Sequence, residues 1–151
     1  MAKKTKNVQY FEAIGRRKLS VARVRLYLLS KDKTATVGSL KIKEGEVYLN
    51  GKPLEKAVTV AYQRDFMLKP LKMTENEKRF AVSITVKGGG PTGQLEAIIH
   101  GLSRALDLVD KAQYHDMLKK EGLLTRDART RERRKVGTGG KSRRVKQSPK
   151  R

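Results

Sequence analysis

Residues 80–109 read FAVSITVKGGGPTGQLEAIIHGLSRALDLV, and this stretch decides the fold. Phe80, Val82, Ile84 and Val86 alternate with Ala81, Ser83, Thr85 and Lys87. That is the period-two pattern of a strand with one buried face. Gly88-Gly89-Gly90-Pro91-Thr92-Gly93 interrupts it. Leu95, Ile98, Ile99, Leu102, Leu106 and Val109 then form one apolar stripe at helical spacing. Ala97, Gly101 and Ala105 make a row of small residues that permits close packing of this helix on a sheet.

Upstream, residues 8–29 read as two strands. Ala22, Val24, Leu26 and Leu28 alternate with Arg23, Arg25 and Tyr27, so one face suits a core and the other suits phosphate. Gly15-Arg16-Arg17-Lys18 reads as the bend between them. Residues 30–44 read as a polar loop or small hairpin. Glu46–Pro53 gives a short strand running into an Asn50-Gly51 turn. Residues 58–68 suggest one or two short helices ending before Pro70. Downstream, a helix is expected over 111–120, with Tyr114, Met117 and Leu118 inward and Gly122 as its cap. Thr125 then reads as an N-cap with Asp127 in the first turn. Beyond Glu132 no apolar periodicity remains. Strands mostly precede helices, which indicates an α+β fold with an antiparallel or mixed sheet.

The charge is lopsided. Among 151 residues, 36 are Lys or Arg and 15 are Asp or Glu, a net charge of +21. Such self-repulsion opposes a compact state unless a polyanion neutralises it, and nucleic acid is the commonest. Arg126–Arg151 alone hold 12 basic and 2 acidic residues, so these cations are expected to lack an acidic partner within the chain. The segmentation follows: residues 1–125 form an RNA-binding body, with residues 1–7 flexible, and residues 126–151 form a basic extended tail that orders on RNA. Fully extended, residues 133–151 reach about 60 Å at ~3.3 Å per residue. The tail has no aromatic residue, so phosphate contact should outweigh base stacking. Cysteine is absent, which excludes disulfides and thiolate metal sites. The longest apolar runs are too short to span a bilayer, and no secretory signal is visible.

Several motifs suggest enzymes. Gly88-x-Gly90-x-x-Gly93 fits a dinucleotide fingerprint, but helix, helix and tail follow it instead of further βα units. The favoured reading is a strand-to-helix turn whose amides at Gly88, Gly89 and Gly90 can still meet a backbone phosphate. Walker-type loops are nearly spelled at 88–95 and 135–142, and each lacks an essential residue. Glu96 and His100 stand at metal-ligand spacing without a third ligand. His100, Ser103 and Asp107 share roughly one helix face, where a polar surface is the plainer reading than a triad. No catalytic residue, metal or cofactor is expected. The rival functions are a nucleotide-using enzyme at Gly88–Gly93 and an architectural DNA-binding protein.

Taken together, Gly15-Arg16-Arg17-Lys18, Ser20-Val21-Ala22-Arg23-Val24, Ile84-Thr85-Val86-Lys87-Gly88-Gly89-Gly90, Gly93-Gln94, Ala97-Ile98, Gly101 and Arg104-Ala105-Leu106 form an ordered series. Leu124-Thr125-Arg126-Asp127-Ala128-Arg129, Glu132-Arg133, Lys135 and the final Lys150-Arg151 continue it. The series resembles the ninth protein of the small ribosomal subunit, the universal S-nine family, over nearly the whole chain. The resemblance implies a compact mixed sheet with a left-handed βαβ crossover, helices on one face and a long basic tail. It implies a non-enzymatic constituent of the cytoplasmic ribosome that binds small-subunit rRNA in the head, beside neighbouring head proteins. It also implies that the tail reaches tRNA in the peptidyl site. No membrane or small-molecule substrate belongs to that picture. Residues 30–44 are longer than the family's usual connection. The end, Gln147-Ser148-Pro149-Lys150-Arg151, lacks the family's common aromatic after Gln.

The residues expected to hold rRNA are Arg16, Arg17, Lys18, Arg23, Arg25, Lys87 and Arg104 in the body. In the tail they are Arg126, Arg129, Arg131, Arg133, Arg134, Lys135, Lys141, Arg143, Arg144 and Lys146. Lys150 and Arg151 are expected at tRNA.

Overall fold

In the computed structural model the described residues are 3–5, 8–29, 34–37 and 40–133. Eight strands and four helices run in the order β1 (Lys3–Thr5), β2 (Val8–Arg17), β3 (Ser20–Leu28), β4 (Thr34–Val37), β5 (Leu40–Lys43), β6 (Val47–Leu49), β7 (Lys52–Pro53), α1 (Leu54–Ala57), α2 (Ala61–Met73), β8 (Ala81–Lys87), α3 (Pro91–Val109) and α4 (Lys111–Lys120). β4 and β5 pair by themselves, and the other six strands form a sheet in the order β1-β2-β3-β8-β6-β7. The sheet is mixed. β6 and β8 are parallel, joined through β7, α1 and α2, while the remaining pairs are antiparallel. The fold is therefore α+β, as the element order implied.

α3 packs on the sheet through its small-residue row. A Cβ on Gly15 would stand 2.0 Å from the Ala97 carbonyl oxygen and 2.4 Å from the Gly101 nitrogen, so strand and helix backbones touch there. Ala97, Leu102, Ala105 and Leu106 are fully buried with Ala22, Val24 and Leu26 of β3 and Val82 and Ile84 of β8. This explains why Gly15 lies inside a strand and not in a bend. β2 continues through Arg17, and the reversal is confined to Lys18 and Leu19, with Lys18 at φ +49°.

The second face of the sheet carries a smaller core. β4 and β5 bring Ala35 and Ile42 onto Tyr10, Tyr27 and Ala81. Residues 30–44 thus include a hairpin with a packing role. Its alternation, Ala35-x-Val37 and Leu40-x-Ile42, is short and set among lysines and threonines.

Other expectations hold or shift by local physics. Asn50 and Gly51 form the left-handed pair that turns β6 into β7, at φ +48° and +81°. Gly122, at φ +69°, donates to the Lys119 carbonyl while Leu123 donates to that of Leu118, a Schellman end for α4. Asp110 ends α3 and accepts from the Gln113 amide as the N-cap of α4. α2 does not stop before Pro70. It forfeits one backbone bond there, and burial of Pro70 and Leu71 holds the last turn to Met73. Met117 faces outward, while Tyr114 and Leu118 face the core. Thr125 caps no helix: residues 126–133 are irregular. Residues 1–7, expected to be flexible, include β1 paired along Val8–Tyr10.

Candidate nucleic-acid interface

The β2–β3–β8 register sorts the basic residues by face. Arg16, Val21 and Lys87 stand in one row, Ile14, Arg23 and Thr85 in the next, and Glu12, Arg25 and Ser83 in the third. Rows lie ~7 Å apart along the strands, and Arg16 and Lys87 lie about 10 Å apart across two strand spacings. The hairpin core covers Tyr10, Tyr27 and Ala81, the row beyond these three. Arg16, Arg23 and Lys87 are exposed, with Ile14 and Val21 showing apolar surface between them. Lys18 and Leu19 project from the turn at the same end of the sheet.

Arg25 shares this face but is held internally. Its Nε donates to Glu12 at 2.6 Å, and its guanidinium lies 5.2 Å from the Tyr10 ring centre.

The β8–α3 turn meets that end of the sheet. Gly88 and Gly89 take φ of +73° and +65°. Any Cβ on Gly88 would lie 2.6 Å from the Leu19 carbonyl oxygen, and one on Gly89 would lie 2.0 Å from Ser20 Oγ. Ser20 Oγ and Gln94 Nε2 both donate to the Gly88 carbonyl at 3.1 Å. Gly88 and Gly89 are thus demanded by backbone conformation and packing. Gly90 is open, has no neighbour within 4 Å of an added Cβ, and precedes Pro91 at the start of α3. The α3 N-terminus has no side-chain cap.

Arg17 points to the opposite face from Arg16. Its Nε pairs with Glu96 of α3, its Nη2 lies 3.1 Å from Asp127 Oδ2, and its Nη1 donates to the Arg129 carbonyl at 2.6 Å. Arg129 itself chelates Asp127 through Nε and Nη2, and its amide donates to Asp127 Oδ1 at 2.9 Å. The Asp127 carboxyl sits well below the usual carboxylate range because of these Arg129 bonds, with Arg17 adding to them. The expectation that the tail cations lack an acidic partner therefore fails at Arg129.

The polar face of α3 that suggested a metal pair or a triad serves other ends. Glu96, His100 and Arg104 follow β2 beyond the reach of β1. Arg16 N–H donates to His100 Nδ1 at 3.3 Å, and Arg104 Nη1 donates to the Ile14 carbonyl at 2.6 Å. Burial pushes His100 below the usual imidazole range. Arg104 and Arg126 act in the same sense, against a hydrogen bond to the Leu124 backbone. Ser103 Oγ donates to the Ile99 carbonyl, and Asp107 pairs with His115 at 2.8 Å. The three residues of the apparent triad have three separate partners.

Arg126, Arg131 and Arg133 are exposed on the segment after α4. Arg134, Lys135, Lys141, Arg143, Arg144, Lys146, Lys150 and Arg151 lie outside the described residues. Nothing local in the sequence marks Glu96, His100 and Asp127 as partners of the basic residues. The signal for the Arg16/Arg17 division is present. A two-residue turn after Arg17 sets Arg17 opposite Ser20 and leaves Arg16 on the face of Arg23. Among the described residues no helix is long and apolar enough to cross a membrane.

A family model described as ribosomal protein S9/S16 matches residues 15–151. The match begins at the Gly15 crossing and spans both the sheet and the segment after α4. The chain belongs to this family of structural ribosomal proteins, whose role is in translation and whose place is the ribosome.

Proposed function

With that membership as premise, we propose that the chain is a non-catalytic constituent of the small subunit that binds rRNA of the head through two cationic surfaces. The first is the open sheet face with Arg16, Arg23 and Lys87, extended by Lys18 at the turn. The second is the C-terminal segment from Arg126 onward. A phosphate fits the uncovered amides at the α3 start beside Gly90, where the helix dipole adds to the attraction. Neighbouring head proteins complete the setting, and the compartment is the cytoplasm.

The observation that carries the reading is the row order on the open face. Arg16, Arg23 and Lys87 stand in register on one face, and among the described residues no ion pair holds them. The acids Glu12, Glu96 and Asp127 instead hold Arg25, Arg17 and Arg129. Lys150 and Arg151 extend the reading to tRNA in the peptidyl site, on the strength of the family resemblance and the reach of the tail.

A salt titration on an rRNA head fragment tests this. If the tail neutralises about six phosphates, log K falls with log salt at a slope near −4 to −5. A chain lacking Ser148–Arg151 should keep most of that slope and still enter subunits, yet retain peptidyl-site tRNA less well. A nearly flat slope for the full chain defeats the rRNA reading. Failed assembly of the shortened chain defeats the division between rRNA and tRNA contacts.

A further inference from the structure

All three nitrogens of the Arg17 guanidinium are engaged, and every partner lies on α3 or on the segment after α4. We propose that Arg17 is a positioning residue for the C-terminal segment: it fixes where the chain leaves the sheet after Asp127, and it does this in place of binding a phosphate.

The geometry separates Arg17 from its neighbour. Only 11% of its side chain is exposed, and it sits between the carboxylates of Glu96 and Asp127. A phosphate approaching it would have to displace one of these acids and repel the other. A guanidinium suits the role because its planar fork holds several oxygens at fixed angles. Arg17 grips Asp127 by its side chain and Arg129 by its main chain, so position and direction are both fixed. The Asp127–Arg129 turn stiffens the grip, and His100 against the Leu124 backbone adds a hold three residues upstream.

The consequence concerns the cations that follow. A long basic segment that leaves the sheet from a fixed point with a fixed heading loses less conformational freedom on meeting RNA. Its effective concentration at one target is also higher than that of a freely swivelling chain. This part rests on the reading of the segment as an RNA ligand; the anchoring itself does not.

The test uses the full chain with Arg17→Ala, Arg17→Lys, Asp127→Asn and Glu96→Gln. Amide hydrogen exchange at Thr125 and Arg129, whose N–H groups donate to the Gly122 carbonyl and to Asp127 Oδ1, reads the anchor without RNA. Arg17→Ala should speed exchange there by about tenfold or more, the loss expected for charge-assisted bonds. β3, β8 and α3 should keep their protection, and Arg17→Lys should fall between, since an ammonium cannot span three acceptors. Unchanged exchange at Thr125 and Arg129 in Arg17→Ala overturns the proposal. Should that variant fail to fold, Asp127→Asn and Glu96→Gln break the same network from its exposed side, and unchanged exchange in both overturns it equally.

Binding to the rRNA head fragment supplies a sign that charge alone would reverse. Asp127→Asn removes a negative charge and by simple electrostatics should tighten binding. Loss of the anchor should weaken it. Tighter binding overturns the proposal. Absence of any salt-dependent binding by the unaltered chain counts against the RNA reading of the segment, and the exchange measurement still decides the anchor.

Discussion

The two faces of β2, β3 and β8 share one backbone and differ in what covers them. On one face α3 crosses so closely that Gly15 and Gly101 meet backbone to backbone. On the other, among the described residues β4 and β5 cover Tyr10, Tyr27 and Ala81, and exposure returns at Ile14, Arg16, Val21, Arg23 and Lys87. Arginines stand on both faces, and the neighbours Arg16 and Arg17 behave oppositely. Arg17, on the covered face, is enclosed by two carboxylates, while Arg16, one residue earlier, is exposed. A run of basic residues therefore does not define a binding surface; strand parity and the placement of acids decide which cations remain available to a partner.

The sharpest way to break the contrast is at the crossing. Gly15→Ala should cost about 3 kcal/mol or more, because the added methyl meets main-chain atoms that do not yield. Val21→Ala on the open face should change stability by under about 1 kcal/mol. Thermal unfolding of the two variants compares them directly, and equal losses would mean that the faces are packed alike.

Next in size is the charge of the open face. Replacing Arg16, Arg23 and Lys87 together by alanine should leave unfolding within about 0.5 kcal/mol per site. The same change should flatten the salt slope for the rRNA fragment by up to about 2.7, at ~0.9 per phosphate contact. An unaltered slope would show that the open face touches no phosphate.

The smallest effect concerns His100. Its neutral form accepts the Arg16 amide, with Arg104, Arg126 and the Leu124 backbone around it. Its imidazole is held below the ordinary value in the folded chain, so the unfolded chain takes up the proton first as pH falls. The stability this residue contributes is present above the unfolded value near 6.5 and is lost as pH falls through the lower folded value. The loss should vanish in His100→Gln. Unfolding midpoints between neutral and mildly acidic pH measure it, and a gain in stability on acidification would reverse the assignment.

Much of this contrast is legible in the sequence. Alternation marks β3 and β8, the apolar stripe marks α3, and Ala97, Gly101 and Ala105 announce the close approach. The partner of that row is harder to see, since Gly15 beside three cations has the composition of a bend. The β4–β5 hairpin is legible only as one of two alternatives, a polar loop or a small hairpin, because among the described residues Ala35 and Ile42 are what it buries, too few to decide between them. The Arg17 network is hidden for a different reason. Its members lie 79 and 112 positions apart in the chain, and no local pattern pairs Arg17 with Glu96 or Arg129. The polar grouping on α3 is real, and the ring and guanidinium on that face serve main-chain atoms of β2.

That use of His100 and Arg104 has a consequence for the chain before it joins a particle. β1 pairs only along Val8–Tyr10, so the remainder of β2 would otherwise be a bare ladder, open to a second copy adding itself by strand pairing. With the Arg16 amide and the Ile14 carbonyl already engaged, two of the rungs such a copy needs are taken. Strand addition along this edge is thereby disfavoured.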